Sequence, residues 1–150
     1  MYKSIKLAIV FFSLLLVSGC IRMILPTSQA ELVNKGQSIE IVADTDFITA
    51  FSRLKPYAQK CIAYYTPNGF VAVTSNLDRN NSTATLTGHS NFGTYTFHTI
   101  LTPTHDGKTT IKFINSKSLT NAQKFLNSRA KTFQWVAENY TEGDSCKIAQ

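Results

Sequence analysis

The sequence predicts an α+β fold: an antiparallel, four- to five-stranded meander sheet with an N-terminal and a long C-terminal helix packed on one face. Three features carry this. Between residues 61 and 114 the chain is a series of short segments rich in Val, Ile, Thr, Tyr and Phe, separated by tight-turn signals, as in hairpin-connected strands. Before them, Phe47, Phe51, Leu54 and Ala58 recur at three- and four-residue spacing; after them, so do Leu119, Ala122, Leu126, Ala130, Phe133, Val136 and Tyr140. Helices that flank an antiparallel run bury such stripes against one face of the sheet.

Taken in order, the chain opens with a short positive head, Lys3 and Lys6, followed by Leu7–Val17, apolar except for Ser13. This is the length of a signal-peptide core and falls short of the ~20 residues that span a bilayer. Small residues then lead to a cysteine: Val17-Ser18-Gly19-Cys20 resembles the lipobox of bacterial lipoproteins, with Val at a position where Leu is commoner. The resemblance implies removal of residues 1–19, a diacylglycerol on the Cys20 thiol and an acyl chain such as palmitate on the freed amine. Two or more chains make a stable membrane anchor, since each buried CH2 contributes about 0.8 kcal/mol. Two other readings fit the same residues. One is an ordinary signal peptide ending near a cysteine. The other is a transmembrane helix continuing from Ile21 to Leu25, against which Arg22 argues by its charge. Ile21 and Arg22, with no Asp beside the cysteine, resemble the outer-membrane sorting pattern. The implied location is the cell envelope, with the domain facing the periplasm.

Residues 20–37 read as the lipidated cysteine and a flexible tether, because Pro26, Asn34 and Gly36 interrupt any periodicity. Residues 38–150 read as one globular domain. Ser38–Val42 is a strand candidate. Asp44 or Thr45 is placed to cap the first helix, with Asp46 in its first turn. Pro56 predicts a kink or break near Lys55, because it lacks an N–H and crowds the preceding turn. Strands are expected at 61–66, 70–75, 82–89, 94–102 and 109–114, with turns at Pro67-Asn68-Gly69, at 77–81 and at Asp106-Gly107. Alternation gives the sheet one buried face and one wetter, Thr-rich face that includes His98. Ser116 or Ser118 is placed to cap the last helix.

With Cys20 lipidated, Cys61 and Cys146 remain, 85 residues apart. In the oxidising compartment that the lipobox implies, an even pair reads as one disulfide; two separate buried thiols are the alternative. There is no CxxC motif, which removes thioredoxin-type exchange.

The formal charge of the 150-residue chain is +6. Without Lys3 and Lys6 the 15 basic side chains become 13 against 9 acidic, a formal +4. These charges are scattered and no nucleic-acid-binding motif is present, so no nucleic-acid partner is expected. His89, His98 and His105 lack zinc-ligand spacing, so no metal and no cofactor are expected. There is no GxSxG or SxxK motif, and capping accounts for the one close pair of acids, Asp44 and Asp46. In outline the chain resembles the small uncharacterised envelope lipoproteins of Gram-negative bacteria. It shares with them the lipobox, the helix ending at Cys61 and the WVAENYTEGDSC tail. The expectation is a non-catalytic binding or accessory module held to the membrane through its lipid, with an envelope protein or a small ligand as partner. Tyr64, His98 and Trp135 are the candidate surface contacts. The alternative is a small-ligand-binding domain or small hydrolase with a pocket between sheet and helices.

Overall fold

The computed structural model describes residues 25–117 and 122–146. The expectations for the signal segment, Cys20, Ser118 and Leu119 lie outside the described residues. The elements run α1 (Gln29–Lys35), β1 (Gln37–Ala43), α2 (Phe47–Tyr57), a π-helical turn (Ala58–Ile62), β2 (Tyr64–Thr66), β3 (Gly69–Asp78), β4 (Thr83–Ser90), β5 (Tyr95–Pro103), β6 (Thr109–Asn115) and α3 (Ala122–Asn139). The fold is α+β. All strands pair antiparallel in one open sheet, ordered β1-β6-β5-β4-β3-β2. The sheet has six strands rather than four to five, because β1 returns to pair along all of β6, setting Ile39 opposite Phe113 and Ile41 opposite Ile111. That pairing satisfies the backbone groups that a meander ending at β6 would leave open.

The principal core lies between one sheet face and helices α2 and α3. Leu86, Leu101, Ile111 and Phe133 are fully buried there, with Leu54 from α2 and Val136 from α3. Aromatic rings link the layers. Phe97 stacks on Phe113 at 5.8 Å, Phe113 meets the edge of Phe133 at 5.2 Å, and Tyr57 packs edge-on to Tyr140 at 5.5 Å. The two helices are also joined by polar contacts, since the Arg53 guanidinium donates to the carbonyls of Ala137 and Glu138 at the end of α3. Near the end of β1, Gln134 Nε2 donates to the Val42 carbonyl, and Glu138 accepts from the Asp44 N–H. No helix among the described residues is long and apolar enough to cross a membrane.

Local chemistry places two boundaries differently from the sequence reading. The cap of α2 is Asp46, whose carboxylate accepts from the N–H groups of Ile48 and Thr49. Hydrogen bonding from the Thr49 side chain, then from the Thr49 and Ile48 N–H groups, holds the Asp46 carboxyl below its usual pKa. The helix runs through Pro56 to Tyr57, and regular α geometry gives way only at the π turn, where the Ala63 N–H reaches back to the Ala58 carbonyl. Cys61 and Ile62, expected as strand, therefore belong to this wider turn. Its fourth residue, Cys61, stands at bonding distance from Cys146, with the two Cα atoms 5.2 Å apart.

The second sheet face is not simply wet. Part of the segment read as tether forms α1, whose N-cap Ser28 accepts from Glu31 N–H while Glu31 accepts from Thr27 N–H. The Pro26 carbonyl accepts from Tyr95 N–H at 2.8 Å, so the chain is fastened to β5 just before α1 begins. Leu32 of α1 is fully buried. The chain leaves α1 at Gly36, where an added Cβ would crowd Ile114 and the Asn115 carbonyl. Alternation puts Ile114 and His98 on the face opposite Phe113 and Phe97, and α1 covers them. His98, expected as a surface contact, is only 2% exposed. Its Nδ1 pairs with Thr87 Oγ1 at 2.8 Å and its Nε2 with Gln29 Nε2 at 3.1 Å.

Burial lowers the His98 pKa below its usual 6.5. The unfolded chain thus takes up a proton before the folded one does, and the His98 contribution to stability is full above 6.5 and is lost as pH falls through the folded-state value. Urea unfolding at pH 8 and pH 5.5 (both roughly above the carboxylate range) is expected to show lower stability at pH 5.5. His98→Gln, which does not charge, is expected to flatten that difference; an unchanged slope would contradict the burial argument. Replacing both Cys61 and Cys146 by Ser is expected to lower stability by about 4 kcal/mol in the chain-entropy picture, read by denaturant unfolding. A change near zero would mean that the pair is not bonded.

Candidate functional site

A cleft of about 430 Å3 opens at one end of the sheet, between the sheet and α3. Its first wall is the end of the π turn, with Cys61 and Ile62, continued by Ala63 and by Tyr64 of β2. Val71 of β3, Thr96 and Phe97 of β5, and Phe113 and Asn115 of β6 line the sheet side. Phe125 and Arg129 of α3 form the opposite wall. Antiparallel pairing brings the start of β5 and the end of β6 together, with Phe97 opposite Asn115 in register. The π turn completes the enclosure, and such insertions are frequent at functional sites. The volume falls within the range of roughly 300–1,000 Å3 common to small-molecule pockets.

The lining is mainly apolar and carries one charge. The Arg129 guanidinium carbon lies 5.3 Å from the centre of the Phe125 ring, a cation–π contact between residues one helical turn apart. No carboxylate pairs with Arg129 among the described residues. Arg53 differs in this respect, since backbone carbonyls occupy its guanidinium. Thr96 Oγ1 is buried with no hydrogen-bond partner among the described residues, and Asn115 Nδ2 donates to the Ser116 carbonyl at 3.1 Å. The lining holds no carboxylate and no imidazole, and its one sulfur is that of Cys61. The arrangement offers an apolar body of contact and a cation held against an aromatic ring.

Phe97 is held in place by a missing side chain. Gly88 of β4 sits opposite it in register, and a Cβ at Gly88 would overlap the Phe97 ring and crowd Thr96 Oγ1. Glycine here is a matter of space: it lets an aromatic ring on the neighbouring strand lie across the backbone. The register shift between Gly88 and His89 adds a bend at the same point, beside the start of β5.

The structure gathers some of the expected contact residues and separates others. Tyr64 joins the cleft and is 54% exposed, so it forms part of the rim. Trp135 is partly exposed but lies ten residues beyond Phe125 on α3, roughly 15 Å along the helix axis, and does not line the cleft. His98 is withdrawn from the surface by α1. Among the described residues no three His, Cys, Asp or Glu side chains converge in a way that could hold a metal ion. No protein-family model, no curated protein and no solved structure matches the chain.

Sequence reasoning missed Phe125, Arg129, Thr96 and Asn115. The first two had a signal: Phe125 is an aromatic residue beside, not on, the apolar stripe, with an arginine four residues later. Thr96 and Asn115 had none, since their place in the cleft depends on strand register. Gly88→Ala is expected to displace Phe97, lowering the thermal unfolding midpoint by several degrees, on the order of 1–3 kcal/mol for an overpacked site. A wild-type midpoint would show that the Gly88–Phe97 fit does not shape this end of the sheet.

Proposed function

We propose that this protein is a lipid-anchored binding module of the bacterial cell envelope, and that the cleft between the sheet end and α3 takes a small, largely apolar ligand. The observation that carries the reading is the cleft itself: an apolar pocket of small-molecule size with few polar groups converging on it. The absence of an acid, an imidazole or a free thiol from its lining favours binding over acid–base or nucleophilic chemistry. The lipobox-like sequence ending at Cys20 supports the anchor, and the outer membrane with the domain facing the periplasm is the location that fits Ile21 and Arg22.

A protein partner is the second reading, and edge strand β2 favours it. Tyr64 and Tyr65 are 54% and 75% exposed, and among the described residues β2 pairs on one side only, with three residues of β3. An exposed edge of this kind accepts an added strand. It is short, however, and the Tyr65 ring is already stacked on Phe70 at 5.5 Å.

The anchor is tested by fractionation: wild-type protein is expected with the membranes and Cys20→Ala in the soluble periplasmic fraction. A variant still on membranes contradicts the lipid. The cleft is tested by extracting the purified native protein and identifying small molecules by mass spectrometry. A compound at near one per chain in the wild type, absent from Ala63→Trp whose indole would fill the cleft, is the expected outcome. Equal recovery from both proteins, or none from either, contradicts it.

A further inference from the structure

We infer that the cleft selects a monoanionic amphiphile, a single carboxylate on an apolar chain or ring, with the carboxylate on Arg129 and the apolar body along Phe125, Phe97 and Phe113. This rests on the cleft being the binding site. The charge of the lining sets the charge of the ligand. Arg129 is the only ionised group among the residues that form the walls, and no carboxylate neutralises it among the described residues. A neutral ligand would cover the guanidinium without meeting its charge. A dianion would leave one negative charge uncompensated between apolar walls, which is costly. A carboxylate matches both the single charge and the planar fork, since guanidinium and carboxylate pair through two parallel N–H···O bonds.

The remaining lining agrees with an amphiphile. Thr96, whose buried hydroxyl has no partner among the described residues, adds a polar residue to the lining. The rim is apolar as well. Tyr64 and Phe125 are 54% and 42% exposed on opposite walls, and an apolar body leaving the cleft would cover both. Phe125 also fixes Arg129 by its cation–π contact, so the cation is held in position before a ligand arrives.

The test is equilibrium binding of radiolabelled octanoate, octanamide and octyl phosphate to the full anchored chain in neutral phosphatidylcholine nanodiscs, with empty discs subtracted. Octanoate is expected to bind about tenfold or more tightly than octanamide, the size of one charge-assisted pair. Octyl phosphate is expected to bind more weakly than octanoate. Arg129→Gln is expected to remove the preference for octanoate while leaving octanamide binding in place. Arg129→Lys is expected to recover only part of the preference, because it keeps the charge and loses the fork. Thermal unfolding checks that each variant is folded; should Arg129→Gln fail to fold, Arg129→Lys and the preference of the wild type decide the matter. Equal binding of octanoate and octanamide, both lost in Ala63→Trp, overturns the anion preference and leaves the cleft as a neutral apolar site. Tighter binding of octyl phosphate overturns the carboxylate class. No binding of any probe overturns both the inference and the cleft reading.

Discussion

The edge-to-face contact between Phe113 and Phe133 is the point on which the layers of this protein are assembled. Phe113 belongs to β6, the strand that pairs with both β1 and β5, and Phe133 is the largest fully buried side chain of α3. Aromatic edge contacts add about 0.5–1.5 kcal/mol beyond the area they bury, and they also fix orientation. Here they set the height of α3 above the sheet. Toward one side Phe133 continues to Tyr57 at 6.5 Å, joining α2 to the same cluster. Toward the other, Phe113 stacks on Phe97, and these two rings reach the cleft. Core and site therefore share residues, and the cleft is where the aromatic packing runs out at the end of the sheet.

The covalent frame reinforces this arrangement from outside. The Cys61–Cys146 pair ties the end of the α2 segment to the tail that follows α3, across 85 residues of sequence. A link of that span restricts the unfolded chain and keeps the first cleft wall close to the C-terminal segment. On the far face, α1 and the Pro26–Tyr95 hydrogen bond fasten the N-terminal part of the domain to β5 and β6.

Much of the fold was legible because its signals are local. Alternating segments and tight turns such as Asp106-Gly107 located β3 to β6 closely, and helical spacing located α2 and α3. What escaped was either non-local or subtle. The pairing of β1 with β6 joins residues about seventy positions apart, and no local pattern announces it. The helix α1 did have a signature, since Ser28-Gln29-Ala30-Glu31 has the form of a capping box, but only Leu32 in that stretch supplies deep burial. Missing α1 led directly to the misplacement of His98: a polar residue on a strand face reads as exposed until something covers that face. The site was less legible than the fold. Tyr64 was named as a surface contact and Cys61 only as a disulfide partner, whereas the charge that lines the cleft, Arg129, looks in sequence like one more solvated cation on a helix.

The measurement that bears most directly on this account is a residue-resolved map of ligand contact in the full anchored chain. Amide and aromatic NMR signals would be followed as octanoate is added to the nanodisc-bound protein. The account predicts shifts grouped at Ala63, Tyr64, Thr96, Phe97, Asn115, Phe125 and Arg129, with the signals of His98, Leu32 and Trp135 unmoved. Shifts centred on the α1-covered face or on Trp135, or spread evenly over the surface, would contradict it.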